Sequence, residues 1–386
     1  MSEHPLCTQA VVLVGGEGTR LRPITSRVPK PVAPVVERPF ITYVLDLLAR
    51  HGVQRVIFSS GFLASAIETE CGDGLQYGIA VEHVVESEPL GTAGAIKNVQ
   101  SRLDDGPLFA LNGDVLTDVD LGALARLHKE KAAMATIFLT PVEDPRRYGL
   151  VCVRPDASVS SFVEKPGNEH SGGGLINAGV YVLEPPVLEM IPAGRMFSIE
   201  RGVFPKLAQA GSLFAFVGAA YWRDIGTPES YLQAHFDILE GALKTAVADE
   251  LGPGYVHVSS SARVAATARI VPPSYVADGA EVGAGAQVGP LAVIGAGASV
   301  GEGATVVESV VQAGARVGAH ASVEGSVLVR DSWVGAGTQV SHAILGEACR
   351  VGAGNRLANG ICLHPGVELP DNSVQFRDVE QSGEGR

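Results

Sequence analysis

A cluster of glycines and arginines follows the first apolar run of this 386-residue chain. The run VVLV ends at Val14, and these residues come next: Gly15, Gly16, Gly18, Arg20 and Arg22. Glycines let backbone N–H groups approach an anion, and guanidinium groups are forked donors for phosphate oxygens. The pattern predicts a strand that leads into a phosphate-binding loop. The loop does not match the GxxxxGK[ST] motif. It also does not match GxGxxG, because Leu21 takes the place of the third glycine.

The elements that would position this loop can be read from the residues up to about Glu240. Apolar runs such as AVVLVG, RVIFSS and PLFALNGD alternate with helical patterns such as FITYVLDLLARHG. Nearly continuous apolar strands separated by helices indicate an α/β fold of Rossmann-like type, with a mostly parallel sheet and helices on both faces. Because ligands bind at the carboxyl ends of such strands, we expect AVVLVGGEG and LFALNGD to share one crevice.

Composition narrows the class of protein. The formal net charge of −13 argues against nucleic acid or an anionic membrane as partner, so an anionic substrate would need a local basic pocket. No charged-then-apolar leader is present, and no apolar run approaches the roughly 20 residues of a membrane helix. Five scattered cysteines without a CxxC pair predict neither a disulfide framework nor a zinc site. We therefore expect a cytoplasmic protein.

A six-residue period begins after about Gly252. Aliphatic residues recur at steps of six, with three shorter steps of five: Val264, Ile270, Val276, Val282, Val288, Ile294, Val300, Val306, Val311, Val317, Val323, Val329, Val334, Val340, Leu345, Val351, Leu357, Leu363 and Leu369. This period predicts a hexapeptide-repeat solenoid and resembles the left-handed parallel β-helix. The predicted organisation is a catalytic domain at 1–240, a linker at 241–260, the β-helix at 261–370 and a polar tail at 371–386.

Several motifs of the first part carry a family resemblance. GGEGTRLRPIT…PKPVAPV resembles the signature of sugar-1-phosphate nucleotidylyltransferases, and EPLGTAGAI, LNGDV, FVEKP, NAGVYVLEP, SIERGVFP and YWRDIGTPESY follow in the expected order. Together they cover the chain from about Ala10 to about Leu239. With the solenoid attached, the chain is similar to mannose-1-phosphate guanylyltransferases over nearly its whole length.

The resemblance implies direct displacement at phosphorus. A sugar phosphate oxygen attacks the α-phosphorus of a nucleoside triphosphate and expels pyrophosphate, which needs positioning and charge neutralisation. Asp114 and Asp224 are implied as ligands of Mg²⁺, a hard cation that prefers carboxylate oxygens. The implied catalytic residues are Arg20, Lys30, Asp114, Lys165 and Asp224.

The base-reading stretch, by resemblance, is VVESEPLGTAG. Thymidylyl and uridylyl relatives commonly place glutamine where this chain has Glu86. A carboxylate offers only acceptors, which suits the adjacent N1 and N2 donors of guanine and favours GTP. The alternative is that Glu86 faces solvent and backbone amides near Gly91 and Thr92 read the base. The implied nucleotide-binding residues are Leu13, Gly15, Gly16, Gly18, Thr19, Arg20, Lys30, Glu86, Gly91, Thr92 and Asp114.

The sugar pocket is also implied by resemblance. Its residues are Gly149, Glu164, Lys165 and Asn177. Lys165 would contact the sugar phosphate and Glu164 the sugar hydroxyls. Mannose 1-phosphate is the expected substrate. Heptose-1-phosphate guanylyltransferases share the same Glu-bearing stretch but usually lack the solenoid, and glucose-1-phosphate thymidylyl or uridylyl transfer is a further alternative.

Two rival functions belong to other classes. Hexapeptide solenoids often host acetyl transfer, for which His320, His342 and His364 are candidate bases, although surface histidines explain them better. A catalytically silent regulatory paralogue would be expected to lose the phosphate-binding cations or the metal carboxylates, and this chain keeps them. The solenoid is expected to contribute to a homo-oligomer.

Overall fold

The structure is a computed structural model that describes residues 6–16, 18–61, 64–164 and 172–375. Its contacts divide the chain into two compact units, each built from separate segments. The first comprises the described residues up to Gly18 together with Val28–Ala33 and Pro39–Gly226. The second comprises Thr19–Arg27, Pro34–Arg38 and the described residues from Thr227 onward. Two short segments that follow the glycine loop, Thr19–Arg27 and Pro34–Arg38, therefore belong to the unit that contains the repeats. The domain boundaries predicted at 240 and 260 stay a prediction.

The strands before the repeats are short and mostly buried. They are β1 Gln9–Val14, β2 Pro34–Val35, β3 Arg38–Pro39, β4 Arg55–Ser60, β5 Ala80–Val85, β6 Leu108–Asn112, β7 Val115–Thr117, β8 Ala135–Val142, β9 Gly149–Val153, β10 Val159–Glu164, β11 Gly174–Leu183, β12 Leu213–Val217 and β13 Trp222–Asp224. The main sheet has the order β10-β9-β11-β6-β1-β4-β5, and β8 pairs with both β11 and β12. Strands β5, β4, β1 and β6 run parallel, whereas β11 is antiparallel to its neighbours β6, β8 and β9.

Helices connect these strands. They are α1 Phe40–Arg50, α2 Ala64–Cys71, α3 Gly91–Asn98, α4 Leu121–Glu130, α5 Pro185–Glu189, α6 Ile199–Gly202, α7 Phe204–Gln209, α8 Pro228–Leu239 and α9 Ala246–Leu251. Single 3-10 turns occur at Thr19–Leu21, Lys30–Val32, Leu75–Tyr77, Gln100–Arg102 and Gly252–Gly254. The predicted α/β class with a Rossmann-like sheet is confirmed, although the sheet is mixed around β11. No helix in the described ranges is long and apolar enough to cross a membrane.

The repeats form three parallel sheets. Their strands are β14 Val256–Val258, β15 Arg263–Val264, β16 Arg269–Ile270, β17 Ser274–Val276, β18 Glu281–Val282, β19 Gln287–Val288, β20 Ala292–Ile294, β21 Ser299–Val300, β22 Thr305–Val307, β23 Ser309–Val311, β24 Arg316–Val317, β25 Ser322–Glu324, β26 Val327–Leu328, β27 Trp333–Val334, β28 Gln339–Ser341, β29 Ile344–Leu345, β30 Arg350–Val351, β31 Arg356–Leu357, β32 Cys362–Leu363 and β33 Glu368–Leu369. Every third strand joins the same sheet. This is the predicted β-helix, with the six-residue step of the left-handed class.

One position of the predicted aliphatic ladder is wrong. Leu328, not Val329, pairs with Val311 in the preceding coil and Leu345 in the following coil, and it lies in the β-helix core. Successive side chains of a strand point to opposite faces, so only one of two adjacent residues can face inward. The short step therefore falls between Val323 and Leu328.

The second unit also contains a hairpin turn from the N-terminal part of the sequence. Val36 and Glu37, between β2 and β3, have φ angles of 42° and 64°. The Glu37 carboxylate accepts a hydrogen bond of 2.8 Å from the Ala296 N–H at a β-helix corner. Burial raises the pKa of Glu37. Within the same unit, Gln312 Nε2 donates to the hydroxyl of Tyr231 on α8 at 3.0 Å.

Candidate active site

The glycine loop follows β1 directly. Gly15 and Gly16 are exposed at its start, and Gly18 has a φ of 61°, which favours glycine. The Gly113 N–H, which follows β6, donates a hydrogen bond of 2.8 Å to the carbonyl oxygen of Leu13. Since β1 and β6 are parallel neighbours, this bond joins the two loops that the sequence predicts to share one edge of the sheet.

The Glu86 carboxylate is held beside this loop. Its Oε1 accepts a hydrogen bond of 2.8 Å from Ser59 Oγ, and its Oε2 accepts one of 3.0 Å from the Leu90 N–H. A Cβ on Gly15 would lie 3.7 Å from Glu86 Oε1. The side chain therefore points toward the glycine loop, which disfavours the alternative in which it faces open solvent.

The next predicted nucleotide contacts start α3. Gly91 has a φ of 69°, and a Cβ there would lie only 3.0 Å from the carbonyl oxygen of Phe197. The Thr92 hydroxyl donates to Glu200 Oε2 at 2.8 Å and accepts from the Ile199 N–H at 2.9 Å. The Thr92 side chain thus ties the start of α3 to the start of α6, and its hydroxyl has donated its single hydrogen to Glu200.

Lys30 links the two predicted metal carboxylates. Its Nζ lies 3.0 Å from Asp114 Oδ2 and 3.2 Å from Asp224 Oδ1, and its side chain is only 8% exposed. Asp114 lies between β6 and β7, and Asp224 ends β13, which pairs with β7 so that Asp224 faces Val115. The fold thus brings together three charged residues that are far apart in the sequence.

The donor set at this point fits Mg²⁺. The carboxylates of Asp114 and Asp224 both reach the same ammonium group, so oxygens from both could bind one small cation. Mg²⁺ in nucleotide enzymes is commonly held by one or two carboxylates, with substrate phosphates and water completing the shell. Among the described residues, no group of three or more His, Cys, Asp or Glu side chains forms a self-sufficient metal site. Substrate phosphates and water would supply the further ligands of a Mg²⁺ ion held by Asp114 and Asp224.

The predicted sugar pocket is partly described. Gly149 starts β9 and pairs in register with Glu164 at the end of β10. On β11, Asn177 donates through Nδ2 to the Tyr181 hydroxyl at 2.8 Å and accepts from the Gly179 N–H at 3.1 Å. Its amide is therefore fixed in orientation, with one hydrogen and one lone pair left for a ligand.

Two aromatic residues near this pocket were missed in the sequence. Tyr148, directly before Gly149, contacts Trp222 edge to face with ring centroids 5.3 Å apart. Trp222 Nε1 donates to the carbonyl oxygen of Ala178 at 2.9 Å, next to Asn177. Trp222 lies inside the motif YWRDIGTPESY, and Tyr148 precedes the predicted sugar-pocket residue Gly149, but nothing in their spacing predicts that the two aromatics touch.

Four further predicted site residues are Thr19, Arg20, Glu164 and Lys165. Thr19 and Arg20 lie in the Thr19–Leu21 turn, which belongs to the second unit. Lys165 lies outside the described residues, as does the side chain of Glu164. The roles implied for these residues stay predictions.

The three candidate histidines of the β-helix are all exposed. His320 and His342 occupy corners with φ angles of 57° and 49°. Their rings lie over glycines of the preceding coil, because a Cβ on Gly303 would lie 2.5 Å from His320 Nδ1 and one on Gly325 would lie 3.1 Å from the His342 ring. These contacts support the interpretation of ordinary surface histidines.

Comparison with known families agrees with this geometry. A family model described as nucleotidyl transferase matches residues 9–241, which is more than half of the chain. The chain belongs to the nucleotidyl transferase family. A second model, described as the GMPPB C-terminal domain, matches residues 270–375 of this nucleotidyl transferase. The family predicted from the sequence motifs is confirmed.

Relatives of this nucleotidyl transferase are similar to 59–67% of this chain. Mannose-1-phosphate guanylyltransferase of Mycobacterium tuberculosis is 41% identical over 260 residues, covering 67% of this chain and 71% of the relative. UTP–glucose-1-phosphate uridylyltransferase of Synechocystis is 34% identical over 250 residues, covering 61% and 64%. The crystal structure of HddC from Yersinia pseudotuberculosis has a TM-score of 0.53 and 34% identity, covering 59% of this chain and 98% of HddC. HddC was also solved in complex with GMP-PN.

Proposed function

We propose that the protein makes GDP-mannose and pyrophosphate from GTP and mannose 1-phosphate. The observation that carries this proposal is the convergence of Lys30, Asp114 and Asp224 beside the sheet edge that also holds the glycine loop. The name of the Mycobacterium tuberculosis relative supports the choice of substrates.

In the proposed reaction, a phosphate oxygen of mannose 1-phosphate forms a bond to the α-phosphorus of GTP. The bond from the α-phosphorus to the oxygen that bridges it to the β-phosphorus breaks, and this oxygen leaves with pyrophosphate. When bound, Mg²⁺ would neutralise phosphate charge, with Asp114 and Asp224 holding it. Lys30 keeps both carboxylates oriented and adds a fixed positive charge at the triphosphate. We further propose that Arg20 binds the triphosphate and that Lys165 binds the sugar phosphate.

The guanine base would be read by Glu86. Its two oxygens are already oriented by Ser59 and Leu90, and they can accept the two adjacent donors at guanine N1 and N2. Uracil and thymine present one ring donor between two carbonyl oxygens. The carboxylate would repel these carbonyl oxygens, because it has only acceptors. Gly149, Glu164 and Asn177 would line the sugar pocket.

The cellular setting is also a proposal. We propose that the enzyme acts in the cytoplasm as a homo-oligomer to which the β-helix contributes, without nucleic acid or membrane partners. The net charge of −13 supports the absence of polyanionic partners.

One substrate matrix tests the proposed function. GTP, dTTP, UTP and ATP are each combined with mannose, glucose and heptose 1-phosphates, and pyrophosphate release is followed. The highest kcat/KM is expected for GTP with mannose 1-phosphate. Preference for UTP or dTTP with glucose 1-phosphate would support the uridylyl or thymidylyl alternative, and preference for the heptose would change the sugar. Release of no pyrophosphate in any combination would support the silent paralogue.

A further inference from the structure

Strand β4 ends in two adjacent serines with different partners. Ser59 and Ser60 are both buried, with exposures of 0% and 1%. Ser59 Oγ donates to Glu86 Oε1 at 2.8 Å, whereas Ser60 Oγ donates to the backbone carbonyl of Val84 at 3.3 Å. Of these two serines, Ser59 alone contacts through its side chain the residue proposed to read the base.

The position of Ser59 in the sheet explains why it can reach that carboxylate. Strand β4 lies between β1, which carries the glycine loop, and β5, which is followed by Glu86. Ser59 is in register with Leu13 on one side and Val84 on the other. The Glu86 N–H donates to the Ser60 carbonyl oxygen at 2.7 Å, which continues the pairing one residue beyond β5 and aims the side chain back over the strand ends.

Each oxygen of the Glu86 carboxylate accepts one hydrogen bond from a donor in the part of the chain that the structure describes. Ser59 Oγ serves Oε1 and the Leu90 N–H serves Oε2. A carboxylate has no hydrogen to donate, so the Ser59 hydroxyl must point its own hydrogen at Glu86. Donors on both oxygens fix the rotation of the carboxylate group and leave further lone pairs on each oxygen for a ligand.

We propose that Ser59 is a positioning residue for nucleotide selectivity. Ser59 holds the plane of the Glu86 carboxylate so that both oxygens meet the two adjacent donors of guanine at once. Without the Ser59 hydroxyl, Glu86 Oε1 loses its hydrogen-bond donor. The carboxylate must then be ordered when the nucleotide binds, which costs binding free energy. This inference rests on the proposed reading of guanine by Glu86.

The test compares Ser59→Ala with Ser60→Ala, a neighbouring buried serine whose hydroxyl does not contact Glu86. GTP is compared with ITP, which lacks the N2 donor, and with UTP, at saturating mannose 1-phosphate. Ser59→Ala is expected to lower kcat/KM for GTP about 10-fold, mainly through KM, as for the loss of one hydrogen bond to a charged group. The GTP-to-ITP ratio should fall several-fold, and Ser60→Ala should leave that ratio unchanged.

A double-mutant cycle with Glu86→Gln separates positioning from a general packing effect. If Ser59 acts through the carboxylate, Ser59→Ala should have less effect on the GTP-to-ITP ratio in the Glu86→Gln background than in the wild type. Ser59→Cys, which keeps a side chain of similar size but is a weak donor, replaces Ser59→Ala if that variant fails to fold.

The outcomes distinguish this inference from the proposed function. An unchanged GTP-to-ITP ratio in Ser59→Ala or Ser59→Cys, with a lowered ratio in Glu86→Gln, would overturn the role of Ser59 alone. An unchanged ratio in Glu86→Gln would overturn base reading by Glu86 and the role of Ser59 with it. Failure of the wild-type enzyme to use GTP would overturn the proposed function itself.

Discussion

Replacing Lys30 with methionine tests the charged cluster most directly. The substitution keeps an unbranched apolar side chain of similar length but removes the ammonium that Asp114 and Asp224 share. Because the Lys30 side chain is 8% exposed, water cannot easily take the place of its charge. The two neighbouring carboxylates would then lose the ammonium that they share, and their mutual repulsion would increase.

The size of the effect follows from the exposure of the partners. Removing one partner from a fully buried ion pair costs about 3–5 kcal/mol. The Asp114 side chain is 46% exposed and Asp224 is 19% exposed, so solvent screens part of this loss. We expect Lys30→Met to lower the free energy of unfolding by about 2 kcal/mol in the absence of ligands, or roughly 5 °C in melting temperature.

Magnesium provides the sharper readout. Lys30 and Mg²⁺ would be attracted to the same two carboxylates, so loss of the ammonium should strengthen Mg²⁺ binding to the nucleotide-free protein. Thermal unfolding is measured with EDTA and then across a Mg²⁺ titration. We expect Mg²⁺ to raise the melting temperature of Lys30→Met by several degrees more than that of the wild type, while kcat falls at least about 100-fold.

Lys97→Met is the matched control. Lys97 is also largely buried, with a side chain 16% exposed, but its Nζ lies 3.6 Å from the exposed carboxylate of Glu189. It should lose little stability and gain no response to Mg²⁺. If Lys30→Met melts at the wild-type temperature and responds to Mg²⁺ as the wild type does, the carboxylates do not depend on Lys30, and the reasoning is refuted.

Three further predictions follow from single residues. Asp114→Asn should abolish pyrophosphate release with an unchanged circular dichroism spectrum, and retained turnover would contradict a metal role. Ser332 Oγ is buried with no hydrogen-bond partner among the described residues. Ser332→Ala should therefore raise the free energy of unfolding, measured in urea, by about 1 kcal/mol. Ser326→Ala is the control, because it removes a hydroxyl that is hydrogen-bonded, and it should lower the free energy of unfolding. Burial lowers the pKa of His235 from 6.5 to about 4. The unfolded protein therefore binds a proton at His235 that the folded protein does not, and roughly 3 kcal/mol of the free energy of unfolding should be lost as the pH falls from 6.5 to 4. His235→Leu should flatten this part of the pH dependence of unfolding, and equal slopes for wild type and variant would contradict the effect.

The repeat period was strong enough to predict the β-helix. An inward residue at every sixth position is a local requirement of each coil, so the sequence displays it without reference to distant residues. At one position the predicted inward residue was Val329, whereas the structure has Leu328 there. Both residues are aliphatic, so only the pairing with Val311 decides between them. Similarly, nothing in the sequence indicates that Glu37 caps a β-helix corner at Ala296.

The sequence by itself determined the chemistry available to this protein: a glycine loop after a buried strand, scattered cations and carboxylates, and a glutamate in the base-reading stretch. These are local patterns, fixed by strand ends and loop composition. Only the tertiary structure decided which groups meet. It placed Lys30 between Asp114 and Asp224, and it put Ser59 against Glu86, because strand order and register set distances between residues that are remote in the chain.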